Sequence, residues 1–277
     1  MSENLSELLG RTGLDSNFFD ALGNLARPSG TPDADELAIL ADDFLVGKAN
    51  AFGTASFYDF LKPDNKGKQV YVCNGTACEC AGTQPKVIEK LGKTFKPEEI
   101  GHMTCLGRCH ENAAFHYKGR NYSGAAIRDL KDIVKDEFPN HLDHYHVGAS
   151  QQAILTRDFS SMEAFYAPWR KVLTMESTAV LDEVKTSNLR GRGGAGFPMG
   201  LKLEFCKKAE SAVKFIICNA DEGDPGAYSD RYLLEQQPHA VLFGMLVSGY
   251  ITGAHHGILY IRAEYPEAVA IMEKAIE

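Results

Sequence analysis

The sequence predicts an α/β protein in two parts: a helical segment running into a small cysteine-bearing α/β domain, then a parallel α/β unit. Three observations predict it. Five cysteines fall between Cys73 and Cys109 beside short β-prone runs. Residues 189–202, LRGRGGAGFPMGLK, hold five glycines with two arginines and a lysine. Beyond that stretch, β-prone runs alternate with segments of helical period, the pattern of a parallel sheet. The length of 277 residues agrees with about two domains at roughly 150 residues each.

From the N-terminus, Asn17 to Ala26 places Phe18, Phe19, Leu22 and Leu25 at helical spacing. Pro32 then opens a segment from Asp33 to Lys48 with Leu37, Leu40, Ala41, Phe44 and Leu45 on one face. Residues 51–61, AFGTASFYDFL, are aromatic-rich, and 62–68 form a polar break. A strand is expected over Gln69–Cys73 and a short helix over 84–92. His116-Tyr117 and Arg120–Tyr122 flank Lys118-Gly119 as a hairpin. A helix is expected from Ala125 to Glu137, ended by Pro139. Residues 139–170 lack clear periodicity and read as a connector. Helix Thr178–Ser187 feeds the glycine stretch. Helix 201–209, strand 213–218, helix 238–252, strand 257–262 and helix 265–277 follow. Two parallel strands are few for a stable sheet, so the second domain is expected to be cut short. The expected domains are 1–62, 63–138, a connector 139–170, and 171–277.

Composition narrows the function classes. A net charge of −8 without a dense basic run argues against nucleic acid. No apolar stretch reaches the roughly 18 residues that span a bilayer, so no direct membrane insertion is expected. The N-terminus lacks a signal-peptide pattern, which leads to a cytoplasmic expectation. There, cysteines serve as metal ligands or reduced thiols rather than disulfides.

Cys73 and Cys78 form C-x4-C after a strand, and Cys105 and Cys109 form C-x3-C within CLGRC. Four thiolates in two loop-borne pairs suit an iron–sulfur cluster. A structural zinc and unligated thiols are the competing readings. Cys80 reads as a non-ligand neighbour, with Cys78 against Cys80 left open. The flanking VCNGTACECAG and CLGRCHENAAF, with AFGTASFYDFL ahead of them, resemble the thioredoxin-like 2Fe-2S subunit of respiratory complex I (the 24-kDa type). The resemblance implies a thioredoxin-like fold after a small helical bundle, with Cys73, Cys78, Cys105 and Cys109 holding one 2Fe-2S cluster.

In the glycine stretch, Gly191, Gly193 and Gly196 match G-x-G-x-x-G, but the pattern follows a helix instead of a strand, against an ordinary dinucleotide fingerprint. Free backbone N–H groups, added cations and a following helix N-terminus still suit a phosphate, with a structural glycine turn as the competing reading. The next strand ends in Asn219-Ala220-Asp221-Glu222-Gly223-Asp224-Pro225-Gly226. Its polar groups suit ligand hydroxyl or amide groups at a strand's carboxyl end, or else form a solvated acidic turn. LRGRGGAGFPMGLK with CNADEGDPGAYSDR resembles the flavoprotein subunit of complex I (the 51-kDa type), with a Rossmann-like FMN-binding fold. The resemblance implies that Gly191, Arg192, Gly193, Gly194 and Lys202 contact the FMN phosphate. Asn219, Asp221 and Glu222 would bind the flavin and ribityl region, with Glu222 and Asp224 on the nicotinamide side. Phe197 and Phe205 would sandwich the adenine of NADH. Asp224, Met199 and Leu203 depart from the family's usual glutamate, threonine and tryptophan.

The order of the two motif sets resembles the diaphorase subunit of NAD-reducing hydrogenases and NAD-dependent formate dehydrogenases. It implies a module moving hydride between NAD(H) and FMN, and electrons onward to iron–sulfur subunits of a hydrogenase, formate dehydrogenase or complex I-like assembly. A 4Fe-4S cluster is expected only in a missing C-terminal part. No side chain is assigned acid–base catalysis. The alternative is a non-enzymatic 2Fe-2S carrier or docking module with an incomplete flavin site. His141, His144 and His146 read as a solvated loop, Cys206 and Cys218 as buried inert thiols, and His239 has no assigned catalytic role.

Overall fold

A computed structural model describes residues 17–29, 32–136, 145 and 153–277. The histidines at 141, 144 and 146, and the end of the helix expected to reach Glu137, lie outside the described residues. The chain divides into two compact units, 1–144 and 145–277.

The first unit begins with helices α1 (Phe18–Ser29), α2 (Ala34–Asp43) and α3 (Lys48–Phe57). Asp33 caps α2 by accepting from the N–H groups of Asp35 and Glu36, while Glu36 returns a bond to Asp33 N–H. This reciprocal arrangement satisfies donors the first turn leaves orphaned. Leu22, Leu37, Leu40 and Ala55 are buried between the helices. Leu45 was expected on the buried face but lies outside α2 with φ +49 and is exposed. The chain has already turned there.

Four strands follow in the order β2-β1-β3-β4: β1 (Val70–Cys73), β2 (Ile100–Met103), β3 (Phe115–Tyr117) and β4 (Arg120–Tyr122). β1 runs parallel to β2 and antiparallel to β3, and β3 and β4 form the expected hairpin. Lys118 and Gly119 take φ +47 and +77 at its turn, the left-handed pair that suits a tight hairpin. Helices α4 (Thr76–Cys80) and α5 (Gln84–Leu91) connect β1 to β2. Val70, Val72, Val87, Leu91, Phe115 and Ile133 form the centre of the core. The helix expected from Ala125 instead begins as 3₁₀ turns over Gly124–Asp129 and becomes helical in α6 (Leu130–Val134). Ala126, Leu130 and Ile133 still reach the core.

The second unit holds α7 (Met162–Val172), α8 (Ser177–Thr186), α9 (Met199–Lys208), β5 (Phe215–Ala220), α10 (Ser229–Gln236), α11 (Pro238–Thr252), β6 (His256–Ile261) and α12 (Pro266–Ile276). Helix α7 occupies part of the expected connector. Its N-cap is Ser161, whose hydroxyl accepts from Ala164 N–H. β5 and β6 pair in parallel from Phe215↔His256 to Ala220↔Ile261. One sheet face packs Cys218, Ala220, Leu259 and Ile261 with Leu234, Tyr265, Ala268 and Met272. The other face leaves Phe215, Ile217, Ile258 and Tyr260 exposed. Val180, Leu181, Leu203 and Ile251 join α8, α9 and α11 in a second core.

Candidate functional site

In the first unit, two chain reversals bring four cysteines into neighbouring loops. β1 delivers Cys73 to its carboxyl end, where it is buried. Gly75 follows in extended conformation and opens α4, which places Cys78 inside and Cys80 outside. A Cβ on Gly75 would stand 3.1 Å from Cys105 N and 3.3 Å from Cys73 Sγ. The missing side chain is therefore what lets the two cysteine loops close on each other. Beyond β2, Cys105 takes φ +52 and Gly107 φ +71, and this left-handed turn carries the chain round to Cys109.

The thiols form two pairs. Cys105 Sγ and Cys109 Sγ are 3.7 Å apart. The Cys78 thiol bonds the sulfur of Cys73, which also draws the N–H groups of Gly75, Leu106 and Cys105. The Cys78 bond, with the backbone donors, brings the Cys73 thiol down to about 6 against the opposing effect of burial, and the same thiol bond pushes Cys78 up. Two thiolates on one tetrahedral metal at ~2.3 Å lie about 3.8 Å apart, which matches the Cys105–Cys109 pair. Among the described residues no three ligating side chains gather for a single ion. Each pair supplies two thiolates, the donor set that one iron of a two-iron centre takes. Met103, Leu106 and Ala114 pack an apolar wall against Cys73 and Cys78.

In the second unit, the glycine stretch forms a hairpin-like turn leading into α9. Gly191 N–H bonds Phe197 O at 2.9 Å and Met199 N–H bonds Leu189 O at 2.8 Å. Arg190 Nη1 donates to Gly196 O at 2.9 Å, fixing the turn across its mouth. Gly194 and Gly196 take φ +111 and +61, which glycine tolerates at little cost. The tip is exposed, and a Cβ on Gly193 or Gly194 would meet open space. Arg192 and Lys202 are exposed, and among the described residues no ion pair or hydrogen bond engages the side chain of either. This backbone and its cations fit an anionic group before the N-terminus of α9. Phe197 and Phe205 are exposed, with ring centroids 6.5 Å apart at 44°. A flat ring stacked between two others needs roughly 7 Å, so the pair would open slightly and turn to hold one.

At the end of β5, Asn219, Asp221 and Asp224 are exposed, and Asn219 Oδ1 accepts from Asp221 N–H at 3.2 Å. Glu222 differs. It is 8% exposed, and its carboxylate accepts from Ser229 Oγ at 3.0 Å, Asp230 N–H at 2.8 Å, Arg231 N–H at 3.4 Å and the Tyr265 hydroxyl at 3.2 Å. Those bonds cap the start of α10, so the carboxylate is turned toward its own fold. Arg262 donates to the Glu222 carbonyl. The guanidinium carbons of Arg231 and Arg262 each lie 5.1 Å from the Tyr265 ring centroid. Burial, then the Glu222 charge, pushes the Tyr265 hydroxyl and the Asp230 carboxyl up. Sequence reasoning missed this network and α10. The apolar run Tyr232-Leu233-Leu234, flanked by Asp230, Arg231 and Glu235 in SDRYLLEQ, was the available signal.

A surface cavity of about 460 Å³ on the helical bundle, lined by residues such as Phe19, Gly53 and Phe57, borders neither site. His239 Nδ1 lies 3.1 Å from the Tyr166 hydroxyl. Cys218 is half-buried, which raises its thiol.

Comparison with known proteins agrees with both halves. Residues 15–137 match the model of the thioredoxin-like [2Fe-2S] ferredoxin family, and residues 184–277 match the Nuo51 FMN-binding domain. The NAD-reducing hydrogenase HoxS subunit alpha of Cupriavidus necator is 48% identical across 76% of this chain and 40% of its own length. The NADP-reducing hydrogenase subunit HndC of Solidesulfovibrio fructosivorans is 50% identical across 40% of this chain and 23% of its own. A crystal structure of an NAD+-reducing [NiFe]-hydrogenase in the air-oxidized state superposes over 93% of this chain and 48% of that one. Its TM-score is 0.65 at 28% identity. The chain thus spans less than half the length of these relatives. The cofactors of the two matched domains are a [2Fe-2S] cluster and FMN, and the residues described above fit both. The chain thus carries a thioredoxin-like [2Fe-2S] ferredoxin domain over residues 15–137 and a Nuo51-type FMN-binding domain over residues 184–277.

Proposed function

We propose that the chain is the NAD(H)-handling end of a diaphorase-type oxidoreductase, exchanging hydride with a nicotinamide and passing electrons to iron–sulfur centres. The observation that carries the reading is the presence, on one chain, of two thiol pairs and an exposed glycine turn with uncommitted cations. FMN supplies the interchange between two-electron and one-electron chemistry. The backbone of Gly193 and Gly194, with Arg192 and Lys202, holds its phosphate; the Gly191 N–H, expected to join them, is engaged by Phe197 O and shapes the turn instead. Asn219 and Asp221 reach the flavin and ribityl groups, and Asp224 faces the nicotinamide side. Phe197 and Phe205 receive the adenine, whose flat faces supply stacking area.

Glu222 contributes by position: bonded to α10 and Tyr265, it fixes where the neighbouring loop presents Asp221 and Asp224. Cys73, Cys78, Cys105 and Cys109 hold the cluster, with Cys80 outside. The domain boundaries we propose are 63–138 for the cluster domain and 171–277 for the flavin domain. The partners are iron–sulfur subunits of a hydrogenase, formate dehydrogenase or complex I-like assembly, and the protein works in the cytoplasm. No helix among the described residues is long and apolar enough to cross a membrane.

The test is anaerobic purification of the full chain, with iron, sulfide and flavin assays and NADH- and NADPH-dependent ferricyanide reduction. Iron, sulfide and FMN with nicotinamide-dependent turnover support the reading. Iron without flavin binding or turnover overturns the enzyme and leaves a carrier. Arg192→Ala and Lys202→Ala should each weaken FMN binding by about 10-fold or more, since a hydrogen bond to a charged group contributes roughly 1.5–3 kcal/mol. Flavin fluorescence titration reads this, while iron content stays unchanged.

A further inference from the structure

We infer that Asp59 and Asn121 are positioning residues for the [2Fe-2S] centre. They brace the peptides whose N–H groups face Cys73 Sγ and thereby raise the centre's reduction potential. The inference rests on the cofactor reading above and concerns residues that hold no iron.

The loop carrying Cys105 is gripped on both sides of that residue. On one side the Asp59 carboxylate accepts from Thr104 N–H. Asn65, 6% exposed, anchors the same corner: its amide donates to Asp59 O at 2.8 Å and His102 O at 2.7 Å, and its oxygen accepts from His102 N–H at 3.1 Å. On the other side Asn121 Nδ2 donates to Leu106 O at 3.0 Å. Between the two grips lie the peptides of Cys105 and Leu106, whose N–H groups act on the sulfur of Cys73 in the opposite thiol pair; Cys105 N and Cys73 Sγ stand 3.1 and 3.3 Å from the point where a Cβ on Gly75 would sit.

His116 sets the orientation of the Asn121 amide. A carbonyl only accepts, so the Asn121 nitrogen faces Leu106 and its oxygen faces His116 Nδ1, 2.7 Å away. His116 Nδ1 therefore carries a proton. The Phe60 and Tyr71 rings, with centroids at 5.2 and 6.0 Å, pack edge-on against the imidazole. N–H···S bonds help set the potential of an iron–sulfur centre. They favour the reduced state, whose added negative charge they offset. Loosening either grip weakens the two bonds to Cys73 and moves the potential to more negative values.

The test uses the full chain, reconstituted anaerobically. Its readouts are a redox titration followed by electron paramagnetic resonance and the shift of Fe–S stretching bands on H/D exchange. Asn121→Leu should lower the midpoint potential and shrink the H/D shift. His116→Phe should do the same, whereas His116→Asn, which places an amide donor near the lost Nδ1, should restore both. Asp59→Ala should lie below Asp59→Asn, two variants that share the loss of charge and differ in the retained acceptor. Wild-type potential and H/D shift in both Asn121→Leu and His116→Phe, at full iron and sulfide content, overturn the inference. Should Asn121→Leu fail to fold, the His116 and Asp59 pairs decide it. Absence of iron and sulfide from the wild-type chain instead brings down the cofactor reading itself.

Discussion

Gly200 shows how much one missing carbon decides. A Cβ there would stand 2.6 Å from Lys185 Cγ, 2.9 Å from its Cα and 3.0 Å from its N. The last two are backbone atoms that cannot swing aside, so α8 and α9 approach closely only because residue 200 is glycine. Gly200→Ala should destabilise the second unit by about 1–3 kcal/mol, the usual cost of overpacking, read as a lowered urea midpoint. His116 carries a different kind of signal. Burial lowers its pKa from 6.5, opposed by the Asn121 hydrogen bond. The unfolded chain therefore takes up the proton first on acidification. The resulting stability is present above about pH 6.5 and is lost as pH falls through the lower folded value. Urea unfolding of wild type and His116→Asn across that range should show a steeper acid loss for wild type. Parallel curves would remove the buried histidine from the explanation.

At the scale of the element, local chemistry decided which pieces could be read from sequence. Asp33 and Glu36 bracket the start of α2 as a reciprocal cap, and Asp33→Ala should cost about 1 kcal/mol, seen as a lower melting temperature of the helical bundle. Strand β1, the β3–β4 hairpin and α11 were legible because their apolar patterns and turn residues agree with their final environments. β2 was not legible: Gly101 and His102 interrupt any strand pattern. The structure gives the reason for the glycine, since a Cβ there would stand 2.5 Å from Asn65 Oδ1 and 2.9 Å from Tyr71 Cδ1. Helix α7 contains Pro168 and sits in a stretch of weak periodicity. Helix α10 has its first donors satisfied by Glu222, seven residues before its start, so no adjacent capping motif announced it. The cysteine spacing exposed the paired thiols. The buried commitment of Glu222 was hidden because nothing in DEGDPG distinguishes a solvated carboxylate from one bonded to a later helix and to Tyr265.

At the scale of the whole molecule, each site lies where its own unit's chain reversals put it: the thiols at the ends of β1 and β2, the acidic loop at the end of β5. The sheet of the second unit has one more property. Phe215, Ile217, Ile258 and Tyr260 stand exposed on one face of a two-stranded parallel sheet. Apolar faces and unpaired strand edges of this kind favour self-association. The chain in isolation should therefore show a weight-average mass in sedimentation that climbs with protein concentration, and Ile217→Lys should flatten that climb while leaving the cysteine unit's absorption unchanged. A concentration-independent mass for the unsubstituted chain would count against it. In practical terms, the same two strands that end beside Asn219 should set an upper limit on the concentration at which this polypeptide stays a clear solution.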